Sequence, residues 1–302
     1  NVPSWIKLKR VKSLKYNYGR MCARSTEQPE DIKMLKAEQP IGIFDSGIGG
    51  LTVAKAINQQ LPNESIIYFG DTAHSPWGNQ SASAIQHYAS RISQTLLEQN
   101  CKIIVIACNT ASAAAFEAVQ QVVGKKALLL NVIDPVIKHL ADNYQDKTVG
   151  LIGTKQTIKS QAYATRLKQL APSIKLKSLA TPLLAPLIED GFSNTTAAQE
   201  IIAHYLTNET LKDISALILG CTHYPLIKQQ VANFFNSKIE IIDSAQLISQ
   251  VINNLLKEHD LIKNSSSSKK IFYVSHDSEF FNHTAQQFFP GEIKLETYPL
   301  WD

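Results

Sequence analysis

Ile103-Ile104-Val105-Ile106-Ala107-Cys108-Asn109-Thr110 and Ala216-Leu217-Ile218-Leu219-Gly220-Cys221-Thr222-His223 end in the same way. Each is a short apolar run that stops at a thiol followed by two polar side chains. A continuous apolar run is the mark of a strand buried on both faces of a parallel sheet, and functional groups in such sheets gather at the carboxyl ends of the strands. The chain therefore delivers two thiols from two strands. A matched pair of weak acids suits a reaction that takes a proton from one face of a carbon and returns it to the other.

Outward from these runs, short strands alternate with helical patterns from residue 40 onward, which predicts βαβ units and an α/β fold. Ile41 to Phe44 reads as the first strand and Ile66 to Phe69 as the next. Ser81 caps a helix whose Ile85, Ala89, Ile92 and Leu96 form one stripe. Leu128 to Ile133 reads as a further strand that closes the first half before Asp134-Pro135.

A second half starts at Val149 and resembles the first. Ile41-Gly42-Ile43-Phe44-Asp45-Ser46 aligns with Val149-Gly150-Leu151-Ile152-Gly153-Thr154, and a thiol follows the aligned glycine after 66 residues in one half and 71 in the other. This weak repeat predicts two pseudo-symmetric domains, each a mainly parallel sheet flanked by helices, with the active site in the cleft between them. The expected division is residues 40–133 plus 243–302 for the first domain and 134–242 for the second. The closing strands near 271–274 and 293–297 are too few for a third domain and are expected to complete the first sheet.

The 302 residues are 44% hydrophobic and 19% charged, the composition of an ordinary globular protein, and no apolar run approaches the roughly 20 residues that span a bilayer. A cytoplasmic protein with reduced thiols is expected, because the four cysteines lack framework spacing. The net charge of +4 is uneven: residues 1–39 carry nine Lys/Arg against four Asp/Glu, leaving the remainder at −1. The body offers no nucleic-acid surface; the basic extension 1–39 reads as a solvated or regulatory tail able to touch anions.

Asp45-Ser46-Gly47-Ile48-Gly49-Gly50 sits between a strand and a helix, where backbone N–H groups can hold an anion. Its glycines do not match a dinucleotide fingerprint, and Gly150-Leu151-Ile152-Gly153-Thr154-Lys155 does not match a Walker loop. Cys108 and Cys221 each precede a helical pattern, the first Ala-rich from Ala111, the second opened by Pro225, so both thiols are expected to titrate below the free value of about 8.5. Cys221-x-His223 offers two metal ligands without partners at ligand spacing, so no metal is expected. A papain-like Cys–His hydrolase leaves the second thiol without a purpose. Glu189, after the run Ala180 to Ile188, reads either as a helix end or as a carboxylate beside the cleft.

Asp45-Ser46-Gly47-x-Gly49-Gly50-Leu51-Thr52-Val53, Gly70-Asp71-Thr72, Pro76-x-Gly78, Ala107-Cys108-Asn109-Thr110-Ala111 and Gly220-Cys221-Thr222-His223-Tyr224-Pro225, in this order, resemble the glutamate racemase family. The resemblance runs from about residue 40 to the carboxyl terminus. It implies interconversion of L-glutamate and D-glutamate without a cofactor, supplying D-glutamate for peptidoglycan. Cys108 and Cys221 would be the acid/base thiols, Cys108 acting on D-glutamate and Cys221 on the L-enantiomer. Asp45 and His223 would assist them, and Glu189 would support the Cys221 side.

Substrate contacts would come from Asp45, Ser46, Trp77, Gly78, Asn109, Thr110, Thr222 and His223. Two positions depart from the family pattern: Trp77 stands where a tyrosine is usual, and His74 where an arginine is. The resemblance also implies activation of some members by a uridine-diphosphate-linked peptidoglycan precursor through an amino-terminal extension, and a homodimer. The alternatives are a racemase for aspartate or another amino acid, and a non-catalytic anion- or DNA-binding regulator.

Overall fold

The computed structural model describes residues 34–276, 279–289 and 293–301. Most of the basic extension, residues 1–33, lies outside the described residues. Among the described residues ten strands are formed: β1 (Ile41–Asp45), β2 (Ile66–Gly70), β3 (Ile103–Ile106), β4 (Leu128–Asn131), β5 (Thr148–Gly153), β6 (Lys175–Ala180), β7 (Ala216–Gly220), β8 (Glu240–Asp243), β9 (Lys270–Val274) and β10 (Leu295–Thr297). They pair into two parallel sheets, the first in the order β10-β9-β2-β1-β3-β4 and the second β6-β5-β7-β8.

The repeat seen in the sequence is a repeat of topology. β2-β1-β3-β4 and β6-β5-β7-β8 have the same relative order, so β3 and β7, the strands that end at Cys108 and Cys221, occupy equivalent places. β1 and β5 register alike against their neighbours: Phe44 pairs with Ile106, and Gly153 with Gly220. β9 joins β2 and β10 joins β9, completing the first sheet as expected.

Helices cover both faces, which is why the strands read as unbroken apolar runs. β1, β2 and β7 are buried along their whole length. The outer face of each sheet has its own core, built on Ile85, Ile92 and Val119 in one case and on Val136, Leu140 and Leu167 in the other. The inner faces share one core, which runs through Ile248, Ile252 and Leu255 of helix Ser244–Glu258. The two lobes therefore meet over a common apolar seam, with strand ends on both sides of it. Among the described residues no helix is long and apolar enough to cross a membrane.

Three local expectations change. β4 stops at Asn131 rather than Ile133, because Asn131 Oδ1 accepts the backbone N–H groups of Ile133 and Asp134 and so starts helix Ile133–Asn143; Asp134-Pro135 lies in its first turn. The segment after Cys221 is a 3₁₀ turn, Tyr224–Ile227, before helix Lys228–Phe234. Residues 34–39 of the extension belong to the folded body. Leu35 packs on the core, and the Ala37 carbonyl accepts from Lys102 Nζ, a fully buried ammonium that also pairs with Glu64 at 2.7 Å.

Candidate active site

Ser81 accepts the Ala84 N–H and caps helix Ala82–Glu98, whose Ile85, Ala89, Ile92 and Leu96 are all buried, so the first lobe's helical layer forms as its pattern predicts. That layer leaves the carboxyl ends of β1, β2 and β3 facing those of β5 and β7. Between them lies a cavity of about 180 Å³, lined among others by Ser46, Trp77, Gly78, Cys108, Asn109, Thr110, Glu189, Cys221, Thr222 and His223. This volume is below the roughly 300–1,000 Å³ of sites for drug-sized ligands and suits an amino acid. Both thiols reach the same cavity from opposite lobes.

Cys108 caps helix Asn109–Ala114: its Sγ accepts the Ala111 N–H at 3.5 Å and lies 3.6 Å from Ser46 Oγ. The expected fall in its pKa does not occur. Burial pushes the thiol up to about 12, the nearby Asp45 carboxylate adds to the rise, and the Ala111 N–H and Ser46 hydroxyl offset only part of it. Cys108 is thus a neutral thiol holding its proton.

Cys221 has a different neighbourhood. Its Sγ is 3.7 Å from His223 Nδ1, and His223 Nε2 is 3.5 Å from Glu189 Oε2, an ion-pair distance longer than a hydrogen bond. Burial disfavours the imidazolium, yet the sulfur and the Glu189 carboxylate outweigh it and hold His223 up to about 10. Glu189 ends helix Leu184–Glu189 and also lines the cavity, so both readings of it hold.

Gly49 makes this contact possible. A Cβ there would lie 2.5 Å from Cε1 and Nδ1 of His223 and 2.6 Å from Thr222 Oγ1. The glycine-rich loop after β1 is therefore a surface on which the second lobe's histidine rests. Its N–H groups hold an anion, but the anion is its own: Asp45 Oδ2 accepts from Gly50 N at 3.0 Å and Gly47 N at 3.3 Å. Asp45 Oδ1 takes the Thr222 hydroxyl at 3.4 Å, a bond between lobes. Asp45 is fully buried and is not among the residues lining the cavity. Burial raises its pKa, against His223 and the two loop N–H groups.

Trp77 is fully buried and among the residues lining the cavity, and its indole N–H is given to Asp71 Oδ2 at 3.0 Å. Asn109 Oδ1 accepts from Tyr163 at 2.6 Å, and its Nδ2 is buried with no hydrogen-bond partner among the described residues. Thr154 was missed by sequence reasoning. It lines the cavity and its hydroxyl meets Thr110 Oγ1 at 2.9 Å, joining the lobes. The signal was present, since the internal repeat aligns Thr154 with Ser46. Ser75, Pro76, Ala185, Pro186 and Asp190 complete the lining; of these only Pro76 carried a sequence signal, in the Pro76-x-Gly78 motif.

A family model for Asp/Glu/Hydantoin racemase matches residues 41–251. A glutamate racemase of Chlorobaculum parvum is 39% identical over 234 residues, which is 78% of this chain and 86% of that protein. Among solved structures, a glutamate racemase of Francisella tularensis in complex with D-glutamate superposes with a TM-score of 0.82 at 37% identity, over 88% of this chain and 99% of that one. A glutamate racemase isoform of Bacillus anthracis gives a TM-score of 0.83 at 32% identity, over 87% and 98%. With two lobes of this topology, a thiol at the end of each lobe's equivalent strand and these relatives along most of its length, the chain belongs to the glutamate racemases within the Asp/Glu/hydantoin racemase family.

Proposed function

We propose that the protein interconverts L-glutamate and D-glutamate by proton transfer between two cysteines, needing no cofactor. The observation that carries this reading is that Cys108 and Cys221, from topologically equivalent strands of opposite lobes, line one amino-acid-sized cavity. For L-glutamate, the Cys221 sulfur takes the Cα proton. The Cys108 S–H gives its proton to the other face, so the enzyme ends with the proton on Cys221 and the thiolate at Cys108. D-glutamate runs the same steps backwards.

The form of the site that takes L-glutamate has the proton on Cys108, whose thiol burial holds up, and a cation at His223 beside Cys221. The α-proton of an amino acid is far less acidic than a thiol, so the binding of both carboxylates and the ammonium must stabilise the carbanion-like transition state. The unpartnered Asn109 Nδ2 and the Ser46, Thr110 and Thr222 hydroxyls are the donors offered to the carboxylates. Asp45, shielded from the cavity, acts through Thr222 and through its field on Cys108.

The same proposal divides the chain into a first lobe of residues 40–133 plus 243–302 and a second of 134–242, which close on the substrate. Activation by a uridine-diphosphate-linked peptidoglycan precursor, supply of D-glutamate to peptidoglycan and a homodimer belong to the proposal as well.

The test is exchange of the Cα hydrogen with solvent deuterium, followed for L-glutamate, D-glutamate and both aspartate enantiomers in parallel. Exchange and inversion confined to glutamate support the reading. Faster exchange of aspartate replaces glutamate as substrate, and salt-sensitive DNA binding without exchange removes the enzyme altogether.

A further inference from the structure

Asp71 lies at the end of β2, fully buried, and is not among the residues that line the cavity. Its carboxylate gathers four donors from three parts of the chain. Trp77 Nε1 reaches Oδ2 at 3.0 Å, and His74 Nδ1 straddles both oxygens at 3.1 and 3.0 Å. Ser275 Oγ and Trp301 Nε1 each reach Oδ1 at 2.8 Å. Two donors thus belong to the loop that forms a cavity wall, and two belong to the chain's last segment.

The contact is stitched on either side. Ser275 Oγ also accepts the Ala73 N–H at 2.9 Å, Thr72 Oγ1 donates to the His276 carbonyl at 2.8 Å, and the His276 N–H returns to Thr72 Oγ1 at 3.0 Å. Rings fill the space between: His74 stacks on Tyr88 at 4.0 Å and 16°, and Trp301 meets the edges of both. A buried carboxylate is stable only when its lone pairs are met, so the loss of one donor must be answered by movement of the others. The partner that reaches the cavity is the loop, since Trp77 and Gly78 are among the lining residues.

We propose that Trp301 is a positioning residue for the substrate cavity: through the carboxylate it shares with Trp77 at Asp71, the carboxyl-terminal segment sets the wall formed by Trp77 and Gly78. The inference rests on the racemase reading for its kinetic arm alone. Withdrawing the Trp301 N–H leaves the thiols, Ser46, Asn109 and Thr222 in place and leaves Oδ1 with Ser275 and His74, so that the carboxylate and the Trp77 indole bound to it shift together. Substrate affinity then changes while the proton-transfer groups do not.

The test is Trp301→Phe, which keeps an aromatic ring and removes the N–H, with 5-fluorotryptophan incorporated in the full chain. The chain has three tryptophans, Trp5, Trp77 and Trp301, so the Trp77 fluorine resonance is readily assigned. The expected result is a displaced Trp77 resonance and a KM for each glutamate enantiomer raised by about threefold to tenfold, with kcat within about twofold of the parent.

An unmoved resonance with unchanged KM overturns the proposal, whatever happens to thermal stability; so does a fall in kcat alone. Should Trp301→Phe fail to fold, Ser275→Ala withdraws the other distant donor to the same oxygen and is read in the same way. If the parent protein does not racemise glutamate, the functional reading fails and the resonance still decides this one.

Discussion

His223 Nδ1 lies 3.7 Å from Cys221 Sγ, whereas Cys108 Sγ meets the Ala111 N–H at 3.5 Å and Ser46 Oγ at 3.6 Å. The two thiols are equivalent in topology and unequal in surroundings. One faces a cation and the other is a buried neutral acid, which is the pairing that a transfer from one face of a carbon to the other requires.

Each cysteine is therefore indispensable in both directions. Cys108→Ser and Cys221→Ser are each expected to lower kcat/KM by about 10²–10⁴ or more. The loss must be the same from L- and D-glutamate, because the enantiomers have equal free energy. Cys101→Ser, at a buried thiol against Gly42 and outside the cavity, is expected to leave kcat/KM within about twofold. Polarimetric rates for the three variants decide this.

His223→Asn is expected to make the step at Cys221 the slower one. Since kcat/KM stays tied between the enantiomers, the asymmetry appears in the primary deuterium isotope effect, which should rise for Cα-deuterated L-glutamate more than for the D form. Equal isotope effects in the variant would remove His223 as the partner of Cys221.

Gly49→Ala places a methyl group where the His223 ring already is. Either the ring leaves Cys221 or the lobes part. The expected outcome is at least a 10²-fold loss of kcat/KM, with a stability cost of about 1–3 kcal/mol by denaturant unfolding. Gly124→Ala tests a different cost. Nothing lies within 4 Å of a Cβ there, but its φ of 51° strains an L-residue, so it should lose stability and keep activity.

Alkaline pH should weaken the fold through both sides of the site. His223 is held up to about 10 against an ordinary value near 6.5, so its contribution is full below about 6.5 and is lost as pH rises toward 10. The Cys108 thiol, held up to about 12, contributes fully below the ordinary thiol range, and its share is lost from there upward. Unfolding free energy should fall as pH rises from 6.5 to 10, and His223→Asn should flatten that slope. A parent whose stability rises over this interval would contradict the assignment.

Deletion of residues 1–33 and of residues 1–39 should differ in stability. The longer deletion removes the Ala37 carbonyl that meets the buried Lys102 ammonium, and should cost about 1–3 kcal/mol. The shorter one leaves that contact whole. It is also the variant on which response to the uridine-diphosphate-linked precursor is to be measured, since an unchanged response with residues 1–33 absent would dismiss a regulatory role for them.

The sequence by itself determined the strands, their parallel pairing into α/β units, the internal repeat and the two thiols, because these depend on local pattern. An apolar run can be buried on both faces only in a covered parallel sheet, and a residue after such a run falls at the sheet's carboxyl edge. Only tertiary structure decided what each thiol is. Glu189, distant in sequence, meets His223 beside Cys221, while burial overrides the cap at Cys108 and lifts it. The same limit hid the meeting of Thr154 with Thr110, the bond from Thr222 to Asp45 and the tie from Trp301 to Asp71. Each is a contact between separate elements, and no periodicity along the chain records which elements will touch.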